Sequence, residues 1–173
     1  MNKNFFSASI VAGLAFCALP AFAATSLPGG ATNLSETHGD WTVRCGAADQ
    51  VVSCEAFQEQ ISNQTQQRVL AISFGSADAA LTGVLVLPFG LLLANGALLH
   101  IDDKPASEVQ SFQTCLPAGC VVPLEMDVDW IGALRTGTTL SIDAQSVSGQ
   151  EAKFSISLTG LSSALDRIAD LVK

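Results

Sequence analysis

Short strand-like runs follow one another through most of this chain, each separated from the next by a few turn-forming residues. Trp41–Cys45 alternates apolar and polar side chains, and further runs cover Val51–Gln60, Arg68–Phe74 and Val84–Leu87. Side chains that alternate with a period of two residues lie on opposite faces of a β-strand. Many short strands at this spacing are typical of antiparallel sandwiches and barrels.

Residues 83–101 are nearly all apolar, and the stretch is long enough to suggest a membrane-spanning helix. A proline and several glycines interrupt it, however, and these residues break helices. An Asn-Gly pair between apolar runs is a strong signal for a tight hairpin. We therefore predict buried strands at Gly90–Leu93 and Ala97–Ile101, joined by a turn at Asn95-Gly96.

Near the C-terminus, apolar residues recur at spacings of four, three and four, as on one face of a helix: Leu161, Leu165, Ile168 and Val172. Ser162 or Ser163 is the predicted cap of this helix. The segments before it are predicted as two strands, a short helix and a final hairpin, at Val109–Thr114, Val121–Met126, Asp127–Leu134, and Thr138–Val147 with Ala152–Leu158. The predicted fold is all-β, an antiparallel β-sandwich or partly closed barrel with a C-terminal α-helix.

The first 23 residues have the three parts of a secretory signal peptide, namely the charge of Lys3, an apolar run over Phe5–Phe22 and the triplet Ala21-Phe22-Ala23. We predict that residues 1–23 are a signal peptide and that Cys17 is lost with it. The alternative is an uncleaved membrane anchor. Cleavage after Ala23 would place the protein in the periplasm or the outer cell envelope, without a transmembrane span.

The rest of the chain is predicted to form one domain after a short lead-in. Residues 24–38 lack apolar periodicity, so we predict a flexible N-terminal segment. Residues 39–173 are then a single β domain that includes the C-terminal helix. Within it, the Gln-rich stretch Gln58–Gln67 cannot fill a core, and we expect an exposed strand edge and loop there.

Four cysteines remain after removal of the predicted signal peptide: Cys45, Cys54, Cys115 and Cys120. An even number of cysteines in an exported chain indicates disulfides, and four of them allow three connectivities. We predict the two local bonds, Cys45–Cys54 and Cys115–Cys120, because each pair flanks a short turn-forming segment. A redox or zinc role is disfavoured, since neither spacing is Cys-x-x-Cys and the thiols should oxidise on export.

The charge balance argues against a nucleic-acid partner. The chain has 16 acidic and 8 basic residues, for a net charge of −8, whereas phosphate contacts require Lys and Arg. Acidic pairs at Asp102-Asp103 and Asp127-x-Asp129 are interpreted as solvated turns. We expect no metal and no cofactor.

Only two histidines are present, His38 and His100, and each lies two residues before an aspartate. A His near an Asp is the raw material of general base catalysis. No serine stands in a recognisable nucleophile motif, however. We therefore expect no enzyme activity, and the alternative of a hydrolase that uses His100 stays open.

The order of these motifs resembles the invasion-associated locus B family of exported bacterial proteins. The residues that carry the resemblance are Trp41–Cys45, Cys54, Leu87–Gly90, Gly96–Asp102, Cys115–Cys120 and Ser155–Leu161, although the family commonly has Phe where Leu161 stands. The resemblance covers about residues 39–170. It implies an exported β protein of the cell envelope without an agreed catalytic activity, in a family named for a member tied to entry into red blood cells.

Three functions remain open at this point. The first, which we favour, is a non-catalytic envelope protein that binds another envelope or host protein or a surface component. The second is a periplasmic carrier of a small ligand, in which the apolar segments of Val84–Ile101 line a pocket. The third is the hydrolase that uses His100.

Overall fold

The computed structural model describes residues 26–49, 51–77, 80–104, 109–124 and 126–172, so the predicted signal peptide lies outside the described residues. Its strands are β1 (Asn33–His38), β2 (Trp41–Ala48), β3 (Val51–Ile61), β4 (Arg68–Ala77), β5 (Ala80–Leu87), β6 (Leu98–Ile101), β7 (Thr114–Leu116), β8 (Gly119–Leu124), β9 (Thr139–Gln145) and β10 (Glu151–Ser157). Its helices are α1 (Val128–Thr136) and α2 (Leu161–Leu171).

The strands form two antiparallel sheets. The large sheet has the order β1-β2-β3-β4-β5-β8-β7, and the small sheet has the order β10-β9-β6. Every pair of neighbouring strands is antiparallel. The prediction of an all-β antiparallel fold with a C-terminal helix is confirmed.

The core contains the side chains that the two sheets and α2 turn inward. Trp41 is fully buried, and its ring centroid lies 5.5 Å from that of Phe74. Helix α2 packs on β1 to β4 and buries the predicted stripe, of which Leu161, Leu165 and Ile168 are members. Amphipathic spacing therefore identified the helix correctly because one face of it meets the sheet.

The start of α2 differs from the prediction of a serine cap. Gly160 is the residue at the cap, with a φ of +93°, and no side chain caps the helix there. The Ser163 hydroxyl donates to the Gly160 carbonyl (2.9 Å) instead. The φ of +93° favours glycine, because a side chain is strained in that region.

The predicted hairpin around Asn95-Gly96 is wrong. Residues Leu93–Asn95 form a 3-10 turn, and Leu91 makes only an isolated bridge to Ser146. The main-chain N–H of Leu92 donates to the Gln145 carbonyl (2.7 Å), so the segment lies along the end of β9 rather than along β6. An Asn-Gly pair indicates only a local turn, and it cannot predict a hydrogen bond to Gln145, which lies far away in the sequence.

One other predicted strand boundary is wrong, and one segment without a predicted element contains a regular strand. The prediction of a strand at Val109–Thr114 fails for most of that segment, where Gln110 makes an isolated bridge and a regular strand starts only at Thr114. The predicted flexible lead-in, residues 24–38, contains the regular strand β1. Its inward-facing residues include Glu36, which Arg167 of α2 binds with two contacts of 2.7 and 2.8 Å. Because this strand turns polar groups inward, it shows no apolar periodicity.

The Gln-rich stretch is also only partly an exposed edge. Strand β3 lies inside the large sheet, and Gln58 is 9% exposed. The Gln58 side-chain amide donates to the main-chain carbonyls of Asp40 (2.9 Å) and Ser157 (3.1 Å), and Gln60 donates to Ser155 (2.6 Å). These amides join the two sheets, because they satisfy carbonyls at the edge of β10.

Both disulfides that we predicted are present in the structure. Cys45 and Cys54 lie directly opposite each other on β2 and β3, and Cys115 and Cys120 do so on β7 and β8. The Cα–Cα distances are 4.1 and 3.9 Å. The first bond is buried in the core, whereas Cys115 is exposed at a hairpin.

Removing the Cys115–Cys120 bond is expected to lower the free energy of unfolding by about 2 kcal/mol, because the open hairpin gains chain entropy in the unfolded state. The double variant Cys115→Ala/Cys120→Ala can be compared with the wild type by denaturant unfolding. Ser53→Ala, at an exposed residue of β3, serves as the control for an alanine substitution on the surface. An unchanged midpoint in the double variant would show that the bond contributes nothing.

Candidate functional site

Exposed apolar side chains concentrate at one end of the sandwich. We call this surface the apolar end and define it by Phe89, Leu92, Leu93, Leu116 and Val147, which are 62%, 38%, 41%, 53% and 71% exposed. Single exposed apolar residues are ordinary on a protein surface, whereas a group of them indicates a contact site.

Main-chain hydrogen bonds hold this surface together. After β5, residues 88–95 run past the end of β9, where the Gly90 carbonyl accepts from the N–H of Val147 (2.8 Å). The Asn95 side chain donates to that of Gln145 (2.6 Å), and Leu91 is buried. Phe89 and Leu92 therefore point out from a segment that is anchored on both sides.

The hairpin β7–β8 borders the same segment. Its turn residues Pro117 and Ala118 line an open groove of about 470 Å³ together with Pro88 and Phe89. Gly119 has a φ of +134°, and a Cβ there would contact the Leu87 carbonyl. The hairpin thus packs closely on the end of β5, and the Cys115–Cys120 bond closes it beside Leu116.

The rim of this groove carries a paired charge. Arg68 lines the groove, and its Nε lies 3.0 Å from the Glu59 carboxylate. An apolar centre with a polar rim is the usual anatomy of a protein interface. The central side chains of this surface are aliphatic or aromatic, so the surface is suited to binding through apolar contact.

The two histidines lie at different places in the fold. His38 on β1 faces α2, with Nδ1 3.2 Å from the Ser163 hydroxyl and Nε2 3.6 Å from the Glu36 carboxylate. His100 lies on the outer face of the small sheet, with Nε2 3.0 Å from the Asp143 carboxylate but not aligned as a hydrogen bond. The structure does not bring the two residues together.

A second open groove, of about 550 Å³, surrounds His100. Lys153 and Asp143 line it, and so does Ser141, which stands opposite His100 across the β6–β9 pair. The groove is lined by mixed charges and hydroxyls. Both histidines therefore lie near a carboxylate and a serine, and His100 does so in an open groove.

The acidic residues that we interpreted as solvated turns hold local structure. The Asp127 carboxylate caps α1 by accepting from the N–H of Trp130 (2.7 Å). Asp102, at a φ of +51°, accepts from the Thr138 hydroxyl (2.6 Å) and the Thr139 N–H (2.9 Å). Among the residues that the structure describes, no group of three or more His, Cys, Asp or Glu side chains is placed to hold a metal ion.

Asp102 should make stability depend on pH. The hydrogen bond from the Thr138 hydroxyl, followed by those from the main chain of Thr139 and Thr138, lowers the pKa of Asp102 below 3.8. A lowered pKa means that the ionised carboxylate stabilises the fold above about pH 4 and that this contribution is lost as the pH falls through the folded-state pKa.

We therefore expect Asp102→Asn to be less stable than the wild type at pH 7, with a difference that shrinks at acidic pH. Denaturant unfolding at both pH values measures this difference. Asp103→Asn, at the exposed neighbouring residue, is the control and should change little. A difference that stays constant with pH would contradict the role of the charge.

The apolar segments proposed as a ligand pocket pack into the core. Leu85, Leu87, Leu91 and Leu99 are each at most 7% exposed. The grooves described above open to solvent instead. Of the helices in the described ranges, none is long and apolar enough to cross a membrane.

Sequence reasoning missed the apolar end because it placed Leu92 and Leu93 in a buried strand and Val147 in a hairpin, and it assigned no surface role to Phe89 or Leu116. The available signal was Pro88 and Gly90 on either side of Phe89, since both residues end a strand. That pattern marks an exposed aromatic residue only when the strand before it is known to stop at Leu87.

Comparison with known proteins agrees with this architecture. Residues 41–169 match the sequence model of the family described as Invasion associated locus B (IalB) protein. An Invasion protein B homolog of Brucella abortus is 46% identical over 168 residues, which cover 93% of this chain and 96% of that protein. Invasion protein B of Bartonella bacilliformis is 35% identical over 153 residues, covering 86% of this chain and 81% of the relative.

A solved structure shows the same fold. The crystal structure of invasion associated protein B from Bartonella henselae aligns with a TM-score of 0.73 and 31% sequence identity. The alignment covers 80% of this chain and 96% of that one. On the shared sequence and fold, this chain belongs to the invasion-associated locus B family.

Proposed function

We propose that this protein is exported to the cell envelope and acts there as a non-catalytic binding protein, which contacts another protein through the apolar end. The observation that carries the proposal is the exposure of Phe89 and Leu116, at 62% and 53%, on anchored segments. A few side chains usually dominate the binding energy of an interface, and side chains on anchored segments lose less conformational freedom on binding.

Export is supported by two features of the chain. The first 23 residues have the pattern of a signal peptide, as set out above. The Cys45–Cys54 and Cys115–Cys120 bonds are typical of an oxidising compartment, such as the bacterial periplasm.

A non-catalytic role is supported by what the candidate acid–base groups do. Asp102 and Asp127 accept main-chain hydrogen bonds, and His38 lies in the contact between β1 and α2. These contacts explain the presence of the residues without a reaction. The relatives from Brucella and Bartonella are named for invasion, and a host-cell or envelope protein is accordingly the class of partner that we propose.

The test is a double substitution at the apolar end. Phe89→Ser/Leu116→Ser should reduce crosslinking to the partner in the native envelope at least about tenfold, as for a lost interface hot spot. The control is Val128→Ser, because Val128 is 84% exposed on α1, beyond the opposite end of β8. An unfolding curve for each variant establishes that the fold is kept. Equal crosslinking of the two variants would refute the proposal.

The hydrolase that uses His100 is the second candidate, favoured by Ser141 and Asp143 in the same groove. It would require His100 to take a proton from the Ser141 hydroxyl. Ester hydrolysis by the purified protein that disappears in both His100→Ala and Ser141→Ala would reverse the ranking of the two functions.

A further inference from the structure

Among the described residues, two of the four sheet edges make contacts on their outer side and a third is very short. The C-terminal part of β10 is covered by side chains of the large sheet, since Trp41 and Gln58 donate to the Ser157 carbonyl and Gln60 donates to that of Ser155. Its N-terminal part contains Lys153. Strand β6 is continued by Ala97, which forms two main-chain bonds with Gln110 (2.9 Å each). Strand β7 is only three residues long. Covering, shortening and a lysine on the edge are among the ways in which proteins prevent edge strands from pairing, and an inward-pointing charge is another.

Strand β1 is neither covered nor short, and its inward-pointing Glu36 is paired with Arg167. It runs for six residues, Asn33–His38, and contains no proline and no lysine. Within the described part of the chain, no group pairs with its outer side. It is therefore the regular edge at which another strand can be added with main-chain hydrogen bonds.

The register with β2 shows which groups are free. The N–H of Ala47 donates to the Thr32 carbonyl (2.8 Å), and hydrogen-bonded pairs alternate along an antiparallel ladder. The main-chain groups of Asn33, Ser35 and Thr37 therefore point away from β2. Their side chains are exposed.

These free groups are complementary to a second copy of themselves. A two-fold axis at Ser35 would set Ser35 opposite Ser35 of the second copy and Asn33 opposite its Thr37, each as a hydrogen-bonded pair. Such a symmetric contact uses the same patch on both copies. Asn, Ser and Thr side chains can also hydrogen-bond across the strand pair.

Charge favours this contact over other surfaces of an acidic chain. The three outward-facing residues are neutral, although the chain carries a net charge of −8. The one acidic residue of β1, Glu36, is held by Arg167 and would face Leu34 of the second copy. No unpaired like charges meet in this register.

We propose that two copies of this protein pair through β1, antiparallel about Ser35, and join their large sheets into one continuous sheet. A contact limited to one strand edge buries little surface, so the dimer is a weak one that depends on concentration. It leaves the apolar end free, because Phe89 and Leu116 belong to segments that border β5 and β8, away from β1 in the strand order.

The proposed register determines which cysteine variants can form a disulfide between the two copies. Directly opposite residues of a hydrogen-bonded pair have Cα atoms about 5.5 Å apart, within reach of a disulfide. Thr37 and its own copy would be about 13 Å apart, four residues along the ladder. Under mild oxidation, purified Ser35→Cys should form a disulfide-linked dimer, whereas Thr37→Cys should form no disulfide between the two copies.

Sedimentation velocity supplies the second measurement. Ser35→Lys should raise the concentration at which the dimer is half-formed at least about tenfold, because two lysines would then meet. Ser53→Lys, with the same change of charge on the interior strand β3, should not. A protein that stays monomeric up to about 1 mM, or equal crosslinking of the two cysteine variants, would overturn the proposal. If β1 pairs with a strand of another protein instead, the purified protein also stays monomeric in this measurement, and the proposed pairing of two copies is refuted.

Discussion

Replacing Trp41 with alanine is expected to lower the free energy of unfolding by about 3–5 kcal/mol, the usual cost of removing a large aromatic side chain from a core. Trp41 is fully buried against Phe74, and its indole N–H donates to the Ser157 carbonyl (2.9 Å). One side chain thus fills the core and fastens the edge of the small sheet to the large one. Denaturant unfolding followed by circular dichroism measures the loss.

Trp41→Phe separates these two contributions. Phenylalanine keeps most of the ring but donates no hydrogen bond, so we expect a loss of about 1–2 kcal/mol. Trp130→Ala is the control for removing a tryptophan, because Trp130 is only half-buried on α1 and should cost less. Equal losses for Trp41→Ala and Trp130→Ala would mean that the packing of Trp41 is not central to the fold.

Gly160→Ala is expected to cost about 3 kcal/mol. At a φ of +93° an L side chain is strained by about 1–2 kcal/mol. A Cβ at this position would also run into the main-chain carbonyl of His38, and backbone atoms cannot move aside cheaply. The close approach matters because it places the β1–β2 turn against the start of α2, where the Asp40 N–H donates to the Thr159 carbonyl (3.0 Å).

Gly149→Ala is the matched control for this substitution. Gly149 has a similar φ of +84°, but nothing lies within 4 Å of a Cβ built there. We expect a loss of only about 1 kcal/mol, from the backbone conformation alone. If both variants lose the same amount in an unfolding titration, the contact with His38 carries no energy.

Sequence patterns predicted the elements whose signal is local. The period of two in β2 and β3 and the stripe on α2 reflect burial of one face, which each segment shows by itself. The disulfide partners were predictable for the same reason, because Cys45 and Cys54 flank one turn and Cys115 and Cys120 flank another.

The errors concern segments whose neighbours are distant in the chain. Strand β1 has no apolar periodicity, because Glu36 is balanced by Arg167, which lies 131 residues away. Gln58 is buried because it meets main-chain carbonyls of Asp40 and Ser157. A local pattern contains no information about such partners.

The sequence did not predict the apolar end for a related reason, because its exposure also depends on residues distant in the chain. Phe89 and Leu92 lie within an apolar stretch, in which the pattern predicts buried strands at Gly90–Leu93 and Ala97–Ile101. Leu91 is buried and its neighbours are not, because the segment bonds to Gln145 and Ser146 at the end of β9. Exposure of an apolar residue is decided by the tertiary arrangement, and here it marks the surface proposed to bind.

The most direct test of a binding role at the apolar end is site-specific photocrosslinking in living cells. A photoreactive amino acid is placed at position 116, in the hairpin beside Phe89, or at position 128, which is even more open to solvent at the far side of the fold. The proposed function predicts one discrete crosslinked protein from position 116 and none from position 128. The same products from both positions, or none from position 116, would contradict it.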